Sequence, residues 1–79
     1  MAIAKIREIL AKNGRLSTSV DQLADDSDLY NAGLTSLATV GVMLALEEEF
    51  NIEIPDSLLG RKTFQSIQSI ADVVNQLKR

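Results

Sequence analysis

The sequence predicts an all-α domain with three main helices, one short helix and a long loop between the first two helices. Apolar residues recur at spacings of three and four in residues 2–13, in residues 36–50 and near the C-terminus, which is the pattern of helices that bury one face. With 79 residues, of which 46% are hydrophobic, the chain is expected to form a single domain, residues 1–79, around one thin core.

The first helix is predicted over residues 2–13. Its apolar face comprises Ile3, Ile6, Ile9 and Leu10, which lie three or four positions apart. Gly14 follows this face and is expected to end the helix, since glycine is favoured just beyond a helix C-terminus.

Residues 15–34 are predicted to form the long connection. They are rich in Ser, Asp and Asn and have no sustained helical period. A loop of this length needs attachment to the core, and one short turn is expected near Val20–Leu23. The anchors are expected to be Leu16, Val20, Leu23, Leu29, Tyr30 and Leu34.

The second helix is predicted over residues 36–50. Phe50 is expected to be buried and shares a face with Leu46, Met43 and Thr39, with Val42 beside them. The opposite stripe is Leu37, Gly41, Leu44 and Glu48, flanked by Val40 and Glu47. An apolar outward face favours a partner or ligand surface, although the bundle could also cover more of this helix. Gly41 either allows close approach of another backbone or is a tolerated surface residue.

Pro55 separates the second helix from the rest of the chain, because it disfavours helix at the residue before it. Asp56 is then a candidate cap for a short helix over residues 57–60, anchored by Leu58 and Leu59. The last helix is expected to begin at Thr63 or Gln65. Its apolar face comprises Ile67, Ile70, Val74 and Leu77.

Composition excludes several classes of function. The sequence contains no His and no Cys, which rules out Ser-His-Asp and Cys-His catalysis and thiolate metal sites. A net charge of −3 and a sequence pI of about 4.7 argue against a nucleic-acid binder. The sequence shows neither a bilayer-spanning apolar run nor a signal-peptide core, so a cytoplasmic location is expected.

The sequence contains two acidic runs, and neither has the residue pattern of a metal site. Counted from Asp26, a calcium loop lacks the required residues at Tyr30, Asn31 and Leu37, so we interpret Asp25, Asp26 and Asp28 as part of a solvated loop. The run Glu47–Glu49 is either a solvated helix end or part of a docking face for a basic partner.

Ser36 is the candidate site. It could simply cap the second helix together with Thr35. However, the reciprocal acid of a capping box is missing, because Ala38 and Thr39 stand where Glu or Gln is usual. The first N–H groups of the helix and its dipole favour an anion, and a phosphodiester on the Ser36 oxygen would lie beside them.

Several blocks of the chain resemble the acyl carrier proteins. The blocks are Asp28-Leu-Tyr-Asn-Ala-Gly33-Leu34-Thr35-Ser36-Leu37, Ala45-Leu46-Glu47-Glu48-Glu49-Phe50 and Ile54-Pro55-Asp56. The last helix, opened by Thr63-Phe64 and Ile67, is similar to theirs as well. The Gly-Leu-x-Ser-Leu element is short, but the later blocks are in register with it, and the resemblance covers nearly the whole chain.

This resemblance implies a four-helix bundle whose Ser36 carries 4′-phosphopantetheine from coenzyme A. The arm would hold an acyl group as a thioester, and partner enzymes would supply the chemistry, so the chain itself is not expected to be an enzyme. The implied partners are a phosphopantetheinyl transferase, an acyl- or aminoacyl-loading ligase and downstream synthases of fatty-acid or specialised lipid metabolism. A monomer is expected.

The resemblance also implies two sets of further site residues. The candidate partner-binding residues are Thr35, Leu37, Val40, Gly41, Leu44, Glu47, Glu48 and Asp56. An acyl pocket inside the bundle would be lined by Val42, Met43, Leu46, Leu59, Ile67 and Ile70, although for any single one of these an ordinary core role is favoured.

The chain departs from the family beside the serine. Thr35 stands where Asp is usual, and Ala38 and Gly41 replace acids of the outward face. These differences suggest a specialised carrier whose partners contact an apolar strip, defined as Leu37, Val40 and Leu44, more than charge. One alternative is an aminoacyl carrier that holds an amino acid on the same arm. Another is a helical interaction module without a prosthetic group, in which Ser36 is only a cap.

Overall fold

The computed structural model describes residues 2–78. Within this range every regular element is helical. Helix α1 spans Ala2–Asn13, α2 spans Ser36–Phe50 and α3 spans Ile67–Leu77. Two short 3₁₀ turns, Val20–Gln22 and Asp56–Leu58, lie in the connections. None of the helices in this range is long and apolar enough to cross a membrane.

The core lies between the three helices, with α1 packed against both α2 and α3. The predicted faces of α1 and α3 are largely buried, and from α2 it is Val42 and Leu46 that enter the interior. The connections also contribute buried side chains. The largest fully buried side chains are Ile6, Leu10, Leu29, Val42, Leu46, Ile67, Ile70 and Val74.

The long connection is attached to α1 and to the segment that precedes α3. Arg7 of α1 donates hydrogen bonds to the carbonyl oxygens of Val20 (2.8 Å) and Leu23 (2.9 Å) and pairs with Asp25 at 2.8 Å. On the other side, the Leu29 N–H donates to the Gln65 carbonyl at 2.8 Å. These bonds satisfy backbone groups that a loop of this length would otherwise expose. The short turn predicted near Val20 is present.

The first two helices have the predicted bounds, but two details differ. Gly14 does follow the end of α1, yet the left-handed residue is Arg15, with φ 52°. Phe50 is only half-buried and lies beneath Lys78, whose Nζ is 5.6 Å from the ring centroid. Because α2 is apolar on most of its circumference, its largest residue does not define the buried face.

Predictions for the second half of the chain are wrong in the short helix, in the burial of Leu59 and in the start of α3. The short helix is reduced to the 3₁₀ turn Asp56–Leu58, and Pro55 rather than Asp56 occupies the position before it, without a side-chain cap. Leu59 is 37% exposed and does not anchor the turn. Helix α3 begins at Ile67 because Ser66 caps it, its Oγ accepting from the Ser69 N–H at 3.0 Å. Residues 63–65 form turns instead.

Candidate functional site

A tight loop positions the start of α2. The Leu34 N–H donates to the Leu29 carbonyl at 3.0 Å, and the Asp28 carboxylate accepts from the Tyr30 N–H at 2.9 Å. Gly33 has φ +111°, and a Cβ there would lie 2.8 Å from the Ser17 backbone nitrogen. The position therefore requires glycine both for its backbone conformation and for space.

Thr35 is the N-cap of α2. Its backbone is extended (φ −101°, ψ 162°), and its Oγ1 accepts from the Ala38 N–H at 3.0 Å. The Thr35 carbonyl accepts from the Thr39 N–H at 3.1 Å. Of the four N–H groups that a helix start leaves without a partner inside the helix, that of Ala38 is thus satisfied by the Thr35 side chain, while among residues 2–78 those of Ser36 and Leu37 remain available to a ligand or water. The capping role that Ser36 was expected to share with Thr35 belongs to Thr35.

Ser36 occupies the first helical position and is exposed. Among residues 2–78, its carbonyl accepts from Thr39 Oγ1 at 2.6 Å, whereas its hydroxyl takes part in none of the side-chain hydrogen bonds. The first turn of α2 contains no acidic residue, so the positive end of the helix dipole is uncompensated there. A free hydroxyl beside unpaired N–H groups is suited to attachment of a phosphate-containing group.

A depression of about 200 Å³ lies on one side of Ser36. Its lining includes Tyr30, Thr39, Leu59 and Arg61. The Arg61 guanidinium carbon is 4.0 Å from the centroid of the Tyr30 ring, a cation–π contact. Burial raises the pKa of the Tyr30 hydroxyl and Asp28 adds to this, while the nearby Arg61 charge opposes it.

The apolar strip lies on the surface, as its helical spacing predicts. Leu37 is 84% exposed, Val40 50% and Leu44 56%. Gly41 lies on the same side of α2, and a Cβ there would meet nothing within 4 Å, so it is not a site of close backbone approach. Exposed leucines in succession along one helix face are unusual on a monomeric surface and indicate a contact region.

The acidic candidates differ in their surroundings. Glu47 and Glu48 lie at the opposite end of α2 from Ser36, and Asp56 lies in the second 3₁₀ turn. Glu48 and Asp56 are exposed. Glu47 is half-buried, and its Oε2 accepts from the Ile54 N–H at 2.9 Å. The Glu47 carboxylate therefore holds the chain that follows α2. Within residues 2–78, no group of three or more acidic side chains is placed to hold a metal ion.

The candidate acyl-pocket residues divide into core and surface. Val42, Leu46, Ile67 and Ile70 are at most 1% exposed, and Met43 packs against this core. Leu59 instead lies at the depression beside Ser36. Their role in holding an aliphatic chain remains a prediction.

Sequence reasoning missed the basic residues around the site. Arg61 lies at the depression beside Ser36. Lys12 and Arg15 line a second groove with Thr35 and Leu37. A tertiary contact between the end of α1 and the start of α2 produces this arrangement, and helical periodicity carries no signal for it.

Comparison with known proteins agrees with this geometry. The model of the family described as "Phosphopantetheine attachment site" matches residues 4–76. The aminoacyl carrier protein of Agrobacterium fabrum is 61% identical over 71 residues, which cover 90% of this chain and 86% of that protein. The acyl carrier protein of Clostridium acetobutylicum is 32% identical over 78 residues, covering 99% of this chain and 94% of that protein.

A solved structure is also closely similar. The crystal structure of an engineered Bradyrhizobium japonicum glycine:[carrier protein] ligase complexed with carrier protein from Agrobacterium tumefaciens and ATP contains a chain that superposes with a TM-score of 0.93. That chain is 56% identical in sequence, and the match covers 98% of this chain and 100% of that chain.

Proposed function

The chain belongs to the carrier-protein family defined by a phosphopantetheine attachment site, and we propose that its cargo is an amino acid. The cofactor of this family is covalently bound 4′-phosphopantetheine, whose thiol holds the cargo as a thioester. The fatty-acyl cargo expected first from the sequence is less well supported than the aminoacyl alternative. The reasons are the sequence similarity and the packing of the core.

Sequence similarity favours the aminoacyl cargo. The aminoacyl carrier protein of Agrobacterium fabrum shares 61% of its aligned residues with this chain, against 32% for the acyl carrier protein of Clostridium acetobutylicum. The ligase crystallised with the similar carrier chain is named for glycine. On this basis we assign the chain an amino acid:[carrier protein] ligase as the loading partner, in addition to a phosphopantetheinyl transferase.

The core is consistent with a small cargo. The innermost pocket candidates, Val42, Leu46, Ile67 and Ile70, are closely packed with at most 1% exposure. An aliphatic chain would have to separate these side chains, whereas an amino acid on the arm needs no interior chamber. A small, charged amino group also gains nothing from an apolar interior.

Ser36 is the proposed attachment residue, and its exposed, unpaired hydroxyl is the observation that carries this proposal. The Ser36 oxygen would form the bond to phosphorus, with loss of the hydroxyl proton and departure of the nucleotide half of coenzyme A. The resulting phosphodiester would lie beside the N–H groups of Ser36 and Leu37, where negative charge is favoured. The open surroundings of Ser36 leave space for the group.

The test is intact mass spectrometry in two stages. The chain is first incubated with coenzyme A and a broad-specificity phosphopantetheinyl transferase, and then with glycine, ATP and the Bradyrhizobium ligase. We expect a gain of one phosphopantetheine, followed by a gain of one glycyl group. Ser36→Ala should gain neither, because the neighbouring Thr35 hydroxyl oxygen is already engaged by the Ala38 N–H.

Ser57→Ala is the matched control, since Ser57 is also an exposed serine but lies in the second 3₁₀ turn. It should load like the unmodified chain. Loading of Ser36→Ala would refute the attachment site. A phosphopantetheine arm that accepts fatty acyl groups from an acyl ligase, but no amino acid, would refute the aminoacyl cargo.

A further inference from the structure

A groove with a basic rim runs between the end of α1 and the start of α2. Its volume is about 520 Å³, and it is lined by Lys12, Asn13, Arg15, Thr35, Leu37 and Gly41 among others. We call it the Arg15 groove. It shares Leu37 with the apolar strip and lies next to Ser36 along α2.

Arg15 is the most unusual residue of this groove. Its φ of 52° places it in the left-handed region, which glycine and asparagine adopt readily and which is strained for other residues. It is exposed, and it forms none of the salt bridges found among residues 2–78. Among residues 2–78 the guanidinium group has no carboxylate partner, and it lies at the groove at a position where glycine or asparagine would fit the backbone better.

Lys12 adds a second, partly compensated charge. Its Nζ is 3.3 Å from a carboxylate oxygen of Glu8, one turn earlier on α1. The hydrogen bond from Lys12 is the largest of several effects that lower the pKa of Glu8. The Lys12 side chain nevertheless remains 72% exposed, which leaves it accessible to a partner.

No carboxylate of α2 opposes these cations. The first turn of α2 has no acidic residue, and the first acid of the helix is Glu47, which is bonded to Ile54 at the far end. The rim of the Arg15 groove is therefore basic, while the overall charge of the chain is −3. A surface of opposite sign to the rest of the molecule selects partners and orients their approach.

We propose that the Arg15 groove is the docking site for the loading ligase. The ligase would insert an apolar side chain that is flanked by its own carboxylates. The apolar side chain would lie against Leu37 and Gly41, and the carboxylates would pair with Arg15 and Lys12. Arginine pairs well with carboxylates because its planar fork can donate two parallel hydrogen bonds. This inference rests on the proposed function, since the partner is the enzyme that charges the arm.

The experiment measures the dissociation constant of the phosphopantetheine-loaded chain for the Bradyrhizobium glycine:[carrier protein] ligase. Arg15→Glu should raise this constant by about tenfold or more, because the ligase carboxylates that Arg15 attracts would be repelled by the new carboxylate. Arg15→Asn should raise it by about threefold, since asparagine tolerates the left-handed backbone but carries no charge. Raising the salt concentration from about 50 mM to about 300 mM should weaken the unmodified chain more than Arg15→Asn.

Lys78→Glu is the matched control. It makes the same change in net charge at the end of α3, and Lys78 is exposed and does not line the Arg15 groove. An equal loss of affinity in Lys78→Glu would mean that only net charge matters, and would overturn the proposal. So would unchanged affinity in both Arg15 variants. A variant that is folded by circular dichroism at the assay temperature qualifies for the comparison.

Coenzyme A is the other anion that could use this groove. If Arg15→Glu weakens binding of coenzyme A alone and leaves ligase affinity unchanged, the groove serves phosphate and the proposal fails. The proposed function is judged separately, by the masses of the unmodified chain after each loading stage. A chain that accepts phosphopantetheine and glycine, but is insensitive to Arg15, refutes only the docking proposal.

Discussion

The two ends of α2 differ in whether their polar and apolar groups face solvent or bond within the chain. At the N-terminal end, Ser36 is exposed with a free hydroxyl, and the apolar strip begins at Leu37, which is 84% exposed. At the C-terminal end, Asn51 adopts the left-handed conformation with φ 54°, and the Glu47 carbonyl accepts from the N–H groups of Asn51 and Ile52. The Glu47 carboxylate also accepts a hydrogen bond, from the Ile54 N–H.

The difference between the two ends predicts which positions of α2 can be substituted without loss of the fold. The C-terminal end is held by bonds that the chain makes to itself, so changes there should reduce stability. The N-terminal end presents its apolar strip to solvent, so changes in the strip should affect partners and leave the fold intact. The loop that precedes the N-terminal end of α2 is the exception, because Gly33 in this loop packs closely against Ser17.

Gly33→Ala should produce the largest effect, because Gly33 lies in the closely packed loop before α2. The added Cβ would lie 2.8 Å from the Ser17 nitrogen and 2.9 Å from its Oγ, at a φ of +111°. Strained backbone together with this overlap should lower the free energy of unfolding by about 2–3 kcal/mol. Chemical denaturation followed by circular dichroism measures this change.

Gly41→Ala is the control for Gly33→Ala. A Cβ at Gly41 meets nothing within 4 Å, and alanine in a helix interior is favoured over glycine by about 1 kcal/mol. This variant should therefore be more stable than the unmodified chain. Equal destabilisation of both variants would show that the close approach at Gly33 has no special importance.

Leu44→Glu should produce the next largest effect, on loading rather than stability. Leu44 is 56% exposed, so a charge there costs little in the folded chain, and the free energy of unfolding should change by less than about 0.5 kcal/mol. If partners contact the apolar strip, a carboxylate in it should slow glycyl loading by about tenfold, because the partner's apolar surface would have to desolvate a charge. Loading rates followed by intact mass measure this.

The conservative variant Leu44→Met separates shape from polarity, and it should load at nearly the rate of the unmodified chain. Unchanged loading of Leu44→Glu by the ligase would remove the apolar strip from the proposed interface. A loss of stability in Leu44→Glu would instead mean that Leu44 contributes to packing.

The sequence alone predicts the bounds of the first two helices. The apolar face of α1 ends before Gly14, and α2 is an apolar-rich run that precedes the break at Pro55. The sequence also places Ser36 at the start of α2 and the apolar strip on the surface. It does not identify which side of α2 carries Phe50, since a helix that is apolar on most sides has no single face from which to infer burial. Tertiary packing, through Val42 and Leu46, decides this.

The start of α3 and the basic rim depend on contacts between distant residues. The Gln65 carbonyl accepts from the Leu29 N–H, and the Gln68 N–H donates to the Asp25 carbonyl, so the long connection determines where helix α3 can begin. Arg15 likewise takes the left-handed position that Gly14 was expected to occupy. The basic rim has no local sequence signal, whereas the start of α3 has one in Ser66, a serine at the N-cap position, which the predicted start at Thr63 or Gln65 does not use.

Glu47→Ala should have the smallest of these effects. It tests whether Glu47, at the C-terminal end of α2, contributes to stability or to partner binding. It removes the acceptor of the Ile54 N–H, and Ile54 is 7% exposed, so the free energy of unfolding should fall by about 1 kcal/mol. Glu47→Gln keeps an acceptor oxygen at the same distance and should retain most of that stability. If Glu47 acts only within the chain, both variants should bind the ligase like the unmodified protein. If Glu47→Gln is stable but binds the ligase more weakly, the Glu47 charge contacts the partner, and the division between a fastened end and a partner-facing end would have to be abandoned.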